Sequence, residues 1–269
     1  MGNQAGGLGM GGGSTPVFVG IDVACGKGKS LPICFVDGAH PLRLLALPDT
    51  IAKAIPRGPG NGEVLAAAPF RDHANRLRDV LAQIEEAMGW TIKAIAIDAP
   101  AAPPQTGGRR CEAELAKEGL SSFKTPALDH WPQIREECRL HLEAGGALSR
   151  LPNANRVWML YGFELFSCLR GALAAEVIEV YPFAIVHGLL PSCSHKSTEE
   201  GYRDQLSALA ARTGWESAGL EAALRASVPG SRHDRLDAYM AAWVASLPAG
   251  QRRAYGDASN PDDSIWTPA

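Results

Sequence analysis

A long amphipathic helix pattern that runs directly into a strand pattern is the strongest constraint on the fold. Apolar residues recur every three or four positions between Phe70 and Met88, and charged residues occupy the other faces. Residues 91–100 then alternate as a strand does, and Pro100 ends the strand because proline cannot donate to a sheet ladder. One apolar helix face next to an apolar strand predicts an α/β fold, with helices packed on a sheet.

Further strand patterns lie on both sides of this unit. Residues 17–21 and 33–36 are rich in β-branched and aromatic residues and predict a hairpin. Residues 41–48 predict a third strand of the same meander, and residues 176–182 predict a fifth strand after the one that ends at Pro100. The chain is therefore expected to form a five-stranded sheet.

Glycines and lysines between the first two strands raise the alternative of a phosphate-binding loop. The P-loop pattern requires a glycine five positions before Gly28, and that position holds Val23. The pattern is therefore not met, and a hairpin turn is the better interpretation. Lys27 and Lys29 at its tip are weak candidates for binding phosphate.

The remaining segments predict one domain with a helical insertion. Residues 1–14 are mostly glycine and predict a flexible tail, which leaves residues 15–269 as a single domain. Residues 109–173 are mainly helical and interrupt the sheet between its fourth and fifth strands. Helices are also expected near 202–212 and over 233–247. The tryptophans at 131, 158 and 243 are expected to build core.

Composition limits the classes of function. The formal net charge is −3 and the isoelectric point is near 6.2, so a bound polyanion would need a local basic patch. No stretch approaches the roughly 20 apolar residues of a membrane span, and no signal-peptide pattern is present, so a cytoplasmic location without membrane contact is expected. The six cysteines form no C-x-x-C pair, which disfavours a zinc ribbon or redox motif and predicts reduced, packed thiols.

Acidic residues stand at the ends of the predicted strands and on the last helix. Asp22, Asp98 and Glu179 belong to the first, fourth and fifth strands, and Asp234 and Asp237 share a helix face. If those strands are neighbours, the acids converge, and only a cation stabilises converging carboxylates. Oxygen ligands suit Mg²⁺ or Mn²⁺, and two such ions can support phosphodiester hydrolysis. The alternative is that each acid acts alone, as a strand end, a solvated side chain or a helix cap.

Seven short motifs occur in an order that resembles one known family. They are "GIDVA" (20–24), "AIDAP" (96–100), "GRRCEAEL" (108–115), "EVIEVYP" (176–182), "HKS" (195–197), "HDRLDAYMAAWVA" (233–245) and "IWTP" (265–268). Together they resemble a family of predicted nucleases known as domain of unknown function 429. The resemblance implies an RNase H-like fold, with a five-stranded mixed sheet that is antiparallel in its first three strands, and flanking helices.

The resemblance also implies roles for individual acids. Asp22 and Asp98 match the metal-ligating aspartates of RNase H-like enzymes, and Glu179 matches the family's "EVYP" glutamate. Asp234 and Asp237 match two acids on the closing helix of Holliday-junction resolvases. Asp237 is the favoured ligand because it lies deeper in the helix, and Asp234 is then a cap. These residues would hold Mg²⁺ or Mn²⁺ in a catalytic centre.

Basic residues near the motifs are candidates for substrate contact. Arg109 and Arg110 could bind a phosphate, and His195 with Lys196 could contact the scissile group, although arginines at a helix start usually face solvent. The expected function is a metal-dependent phosphodiester hydrolase, a nuclease with a nucleic acid or nucleotide substrate. One alternative is a non-catalytic nucleotide- or nucleic-acid-binding protein. Another is a relative of actin-like ATPases and sugar kinases, which the lack of a second "GID"-like strand disfavours.

Overall fold

A four-stranded mixed sheet forms the centre of the protein, which we describe from a computed structural model over residues 14–62, 67–120, 124–192 and 194–269. Its strands are β1 (Thr15–Asp22), β2 (Ile33–Val36), β3 (Trp90–Asp98) and β4 (Glu176–Glu179), in the order β2-β1-β3-β4. β2 pairs antiparallel with β1, and β1, β3 and β4 run parallel. The chain therefore has a mixed α/β fold.

The prediction of a third strand over residues 41–48 is wrong, and the sheet therefore has four strands instead of five. That segment makes one isolated bridge, between Leu44 and Val36, and the Leu45 N–H donates to the carbonyl of Phe35. Prolines at both ends of the segment lack the N–H that a strand donates to its neighbour. Apolar content alone therefore does not make this segment a strand.

Nine helices surround the sheet in the described part of the chain. They are α1 (Asp49–Ala52), α2 (Ala67–Met88), α3 (Arg110–Lys117), α4 (Trp131–Glu143), α5 (Ala154–Leu169), α6 (Pro182–Leu189), α7 (Glu199–Thr213), α8 (Ser217–Ser227) and α9 (Arg232–Ser246). The helices predicted over 70–88, 202–212 and 233–247 are confirmed as α2, α7 and α9. The predicted helical insertion is also present, because α3, α4 and α5 lie between β3 and β4.

Three helices, α1, α6 and α8, and a hairpin were not expected from the sequence. Pro182 was interpreted only as the end of a strand, but it is also the first residue of α6, where a missing N–H costs nothing. The helix α8 was also not predicted. Near the C-terminus, β5 (Arg252–Gly256) and β6 (Ser264–Pro268) pair antiparallel. A parallel bridge between Val180 and Trp266 places this hairpin beside the end of β4.

The sheet separates two apolar cores. One core lies between the sheet and the helices α2 and α5, and it includes Phe70, Ile97 and Tyr161. The other core contains most of α9, which is buried from Leu236 to Ala245. The position of α9 decides where its acidic residues lie.

Close backbone contact fixes α9 on β1. A Cβ added at Gly20 would lie 2.0 Å from the carbonyl oxygen of Ala238 and 2.2 Å from the amide nitrogen of Ala242. Only glycine leaves room for such an approach of helix and strand backbones. The face of β1 that carries Gly20 is therefore the face that meets α9.

Some predictions concern residues outside the described ranges. Residues 1–13 of the predicted tail and Cys193 lie outside them. The five described cysteines are free thiols, and Cys25, Cys34, Cys111 and Cys138 are buried. No described helix combines the length and the apolar character that a membrane span needs.

Candidate functional site

Two of the predicted aspartates lie side by side at the ends of neighbouring strands. Asp22 and Asp98 are partners in the parallel register of β1 and β3. Residues in register on adjacent strands point to the same face, and the strands are about 4.8 Å apart. Because Gly20 faces α9 and lies two residues before Asp22, both aspartates lie on the α9 side of the sheet.

A third aspartate reaches this position from α9. Asp237 is 3% exposed, and the ammonium group of Lys196 donates to its Oδ2. Its Oδ1 is buried and has no hydrogen-bond partner within the described part of the chain. An unsatisfied buried carboxylate oxygen is uncommon in proteins and indicates a missing ligand or donor.

The three carboxyl groups influence one another electrostatically. Burial and the charges of Asp237, Asp98 and Asp234 raise the pKa of Asp22 well above its ordinary value. Burial, and then the charge of Asp237, raises the pKa of Asp98 to about 8. Burial also raises the pKa of Asp237, although the Lys196 ammonium opposes this. One ammonium therefore faces three carboxyl groups, and the site lacks positive charge.

Glu179 does not join the three aspartates. It is the register partner of Ile97, so its side chain leaves the sheet on the face opposite to that of Asp98. There Arg109 binds it through two nitrogens, at 2.8 and 2.6 Å, and the Ala101 N–H donates to it at 2.7 Å. Burial raises the pKa of Glu179, and Arg109 opposes that shift. Glu179 therefore belongs to a neighbouring ion pair.

The two predicted phosphate-binding arginines occupy different environments. Arg109 is 3% exposed, and besides Glu179 it donates to the carbonyl of Asp262 at 3.2 Å and contacts Glu112 at 3.5 Å. Its guanidinium group is thus committed to protein partners. Arg110 is exposed and pairs with Glu114 one turn later on α3. The structure does not bring either arginine to the three aspartates.

The other predicted residues lie near the site in different ways. The Oδ2 of Asp234 accepts from the Ser231 N–H while the Ser231 hydroxyl accepts from the Asp234 N–H, which forms a capping box at the start of α9. Asp234 is therefore a helix cap, as expected, and adds negative charge near Asp22. His195 and Lys196 both line the pocket described next, and His195 contacts the Ser197 hydroxyl at 2.8 Å.

A cavity of about 510 Å³ opens at this edge of the sheet. Asp98 and Asp237 form part of its wall, together with Glu179 and Lys196. Most of the remaining wall is apolar and includes Trp158, Met159, Tyr181, Phe183, Met240 and Ile265. The volume is within the ~300–1,000 Å³ typical of ligand pockets, and crevices beyond the carboxyl ends of parallel strands are frequent binding sites.

Sequence reasoning did not identify the aromatic part of this wall. Trp158 was expected to build core, and it does pack against the core around α2 and α5, but it also lines the cavity. Tyr181 and Phe183 flank Pro182 immediately after β4. Aromatic residues just beyond the end of a parallel strand are a signal that could have indicated them, because this is where α/β sheets open into crevices.

Comparison with known proteins gives one match. A family model described as "Protein of unknown function (DUF429)" matches residues 58–263, about three quarters of the chain. No curated protein and no solved structure matches the chain.

Proposed function

The chain belongs to the DUF429 family, a family of unknown function, and we propose that it is a divalent-metal-dependent phosphodiester hydrolase. Its substrate is a nucleic acid or a nucleotide. One observation carries the proposal: Asp22 and Asp98 are in register at the ends of adjacent parallel strands, and Asp237 approaches them from α9. This arrangement supports a single acidic pocket built from distant parts of the chain.

The residues present fit a hard divalent cation by their chemistry. The three groups supply carboxylate oxygens, which Mg²⁺ and Mn²⁺ prefer. Asp237 has a buried oxygen without a hydrogen-bond partner in the described ranges, and the raised pKa values indicate too little positive charge. Among the described residues, no group of three or more His, Cys, Asp or Glu already stands in a metal-binding arrangement.

Each residue has a distinct role in this proposal. Asp22, Asp98 and Asp237 would hold the cation, which would supply Lewis-acid activation of the diester and of water. Lys196, which donates to Asp237, would donate to a phosphate oxygen of the substrate. Glu179 stays with Arg109 and fixes the backbone of Ala101, three residues after Asp98, rather than binding metal.

The sheet supports the RNase H-like relationship that the motifs suggest. It is mixed, its first pair is antiparallel, and the aspartate at the end of β1 lies on an interior strand. The segment that would correspond to the third strand of that architecture makes one isolated bridge, between Leu44 and Val36.

The test combines metal binding with hydrolysis. Calorimetric titration with Mn²⁺ should show binding to the wild-type protein and at least tenfold weaker binding to Asp22→Asn. Hydrolysis of single-stranded, duplex and branched DNA, of RNA and of dinucleotides should require the metal and be lost in the same variant. The matched control is Asp72→Asn, which removes an exposed aspartate on α2 and should change neither property. Metal-dependent hydrolysis that is undiminished in Asp22→Asn would falsify the assignment.

The position of Lys196 favours one alternative. Its ammonium already pairs with Asp237, so the pocket is partly neutralised without a metal. A pocket with this lysine is sufficient for a non-catalytic protein that binds a nucleotide or a nucleic acid. Substrate binding that does not depend on divalent metal, with no cleavage of any of these substrates, would favour that function.

A further inference from the structure

The acidic site opens into an aromatic chamber that hydrolysis of a diester does not itself require. Trp158 on α5 and Tyr181 and Phe183 around the start of α6 line it. Phe183 is 43% exposed although it is a large apolar side chain, and its ring centroid lies 6.0 Å from that of Tyr181. Exposed aromatic side chains at the mouth of a cavity are typical of binding sites for flat, apolar ligands.

The chamber and the acids form one continuous site. Tyr181 lines the same cavity as Asp98 and Asp237, which places its ring on the same wall as these carboxylates. Trp158 donates its indole N–H to the carbonyl of Asn155 at 3.0 Å, and this hydrogen bond fixes the orientation of the ring. A ligand that reaches Asp98 with its phosphate can therefore place an attached ring against these aromatic side chains.

The negative charge of the cavity wall limits the number of phosphate groups that a bound ligand can carry. Among the described residues that line the cavity, Lys196 is the one lysine or arginine, against the four acids Asp98, Glu112, Glu179 and Asp237. Arg109 neutralises part of this charge from behind the wall. Proteins that follow a long phosphate backbone use extended basic surfaces, and this site has none on its wall.

We propose that the chamber binds an unpaired base, so that the substrate unit is a base joined through its sugar to a single reacting diester. This inference rests on the proposed function and specifies its substrate class. Every base has a flat aromatic face that can stack on Trp158 and Phe183, so the chamber selects for an unpaired base and not for a sequence. A base inside a duplex would first have to leave its stack and its partner. The base can come from a free nucleotide or from the unpaired end of a strand.

The experiment measures binding by quenching of tryptophan fluorescence, with Ca²⁺ in place of Mg²⁺ and with intact probe verified afterwards. The probes are a thymidine dinucleotide, the same diester without bases, a short oligothymidylate and its duplex with oligoadenylate. Trp158→Leu and Phe183→Ala remove the proposed stacking faces. Leu140→Ala is the matched control because Leu140 is an exposed apolar residue outside the cavity wall. Calorimetry replaces fluorescence for Trp158→Leu.

The wild-type protein and Leu140→Ala should bind the dinucleotide on the order of 5- to 100-fold more tightly than the abasic diester. Each stacking variant should lose most of this difference and leave abasic binding unchanged. Tight binding of the dinucleotide alone identifies a free nucleotide as the source, and equal binding of the oligothymidylate identifies a strand end. Equal binding of the abasic diester, stronger binding of the duplex, or no binding of any probe would overturn the inference.

Hydrolysis separates this inference from the proposed function. If both stacking variants cleave the dinucleotide and the abasic diester with the same ratio of rates as the wild-type protein, the chamber does not bind a base. The proposed metal site is unaffected by that result. If binding depends on the base but no metal-dependent cleavage occurs, the chamber binds a base and the proposed hydrolase function is wrong.

Discussion

Individual residues at the site are held in unfavourable electrostatic environments. Asp98 shares its face of the sheet with Asp22 and lies near Asp237, and burial keeps its charged form from being stabilised by water. Buried acidic groups with such unfavourable electrostatic free energy are concentrated at functional sites, where a ligand can neutralise them. The consequence can be measured through stability as well as through activity.

Removal of one carboxylate should stabilise the metal-free protein. Asp98→Asn keeps the shape of the side chain and removes a carboxyl group whose pKa is raised to about 8 by burial and then by the charge of Asp237. The unfolded chain releases this proton at a lower pH than the folded protein does, so the carboxyl group destabilises the fold at neutral pH. In EDTA at neutral pH we expect the variant to be about 1–2 kcal/mol more stable to urea than the wild-type protein. Added Mn²⁺ should then raise the melting temperature of the wild-type protein and leave that of Asp98→Asn nearly unchanged. A wild-type protein that is insensitive to Mn²⁺ contradicts this expectation.

A buried histidine away from the site predicts the pH dependence of stability. His73 is fully buried, with the Tyr161 hydroxyl 2.6 Å from its Nδ1 and its Nε2 2.9 Å from the Arg57 carbonyl. Burial lowers its pKa, so the folded protein binds the proton less readily than the unfolded chain, whose histidine has a pKa of about 6.5. Its contribution to stability is therefore present above that pH and lost as the pH falls through the folded pKa.

Substitution of this histidine provides the test. Glutamine in His73→Gln can hydrogen-bond but does not titrate in this range. Urea unfolding at pH 7 and pH 5 should show that the wild-type protein loses more free energy of unfolding over this interval than the variant does. Equal losses would show that His73 does not set the acid sensitivity.

At the scale of elements, the contact between β1 and α9 decides whether the site exists. Gly20→Ala places a methyl group 2.0 Å from the Ala238 carbonyl, which is backbone and cannot rotate away. The helix must move, and overpacking of this kind costs about 1–3 kcal/mol or more. Because Asp237 precedes Ala238, Mn²⁺ affinity measured by calorimetry should fall together with stability measured in urea.

A second glycine offers the matched control for this change. Gly188 lies in α6, has ordinary helical geometry and has no atom within 4 Å of an added Cβ. Gly188→Ala should therefore be neutral or should stabilise by up to about 1 kcal/mol, without any effect on Mn²⁺ binding. Loss of metal binding in Gly188→Ala, or normal binding in Gly20→Ala, would contradict the proposed role of the helix contact.

At the scale of the whole molecule, Arg109 joins parts that are far apart in sequence. It binds Glu179 at the end of β4, Glu112 on α3 and the carbonyl of Asp262 before β6. Glu112 in turn accepts from the N–H of Thr125 at 3.1 Å. The arginine thus ties the helical insertion and the C-terminal hairpin to the sheet.

Loss of this arginine should destabilise the whole fold. Arg109→Ala leaves Glu179 and Glu112 buried without their cation, and breaking a buried ion pair from one side typically costs about 3–5 kcal/mol. The double variant Arg109→Met with Glu179→Met replaces this pair by apolar groups and should recover part of that loss, because Glu112 still lacks its cation and the Ala101 N–H its acceptor. Urea unfolding at neutral pH measures both. A single variant within about 1 kcal/mol of the wild-type protein would show that the pair is dispensable.

The candidate site was predictable only in part, for reasons that differ from residue to residue. Asp22 and Asp98 follow apolar strands, and a strand end is visible in a local pattern. Asp234 precedes an apolar stripe, and its capping role follows from neighbours within one turn. Glu179 looked equivalent to the other acids, yet its strand register turns it to the other face of the sheet, where Arg109 binds it.

Local patterns in the sequence therefore determined the helices α2, α7 and α9, the strands β1, β2, β3 and β4, and the position of acids at strand ends. These features depend on residues that are neighbours in the chain. Only the tertiary structure decided that residues 41–48 form no strand, that Glu179 pairs with Arg109, and that Asp98 and Asp237 line a cavity with an aromatic wall. Register, the face that a side chain occupies and the charge that neutralises it depend on segments far apart in sequence, so tertiary packing decides them.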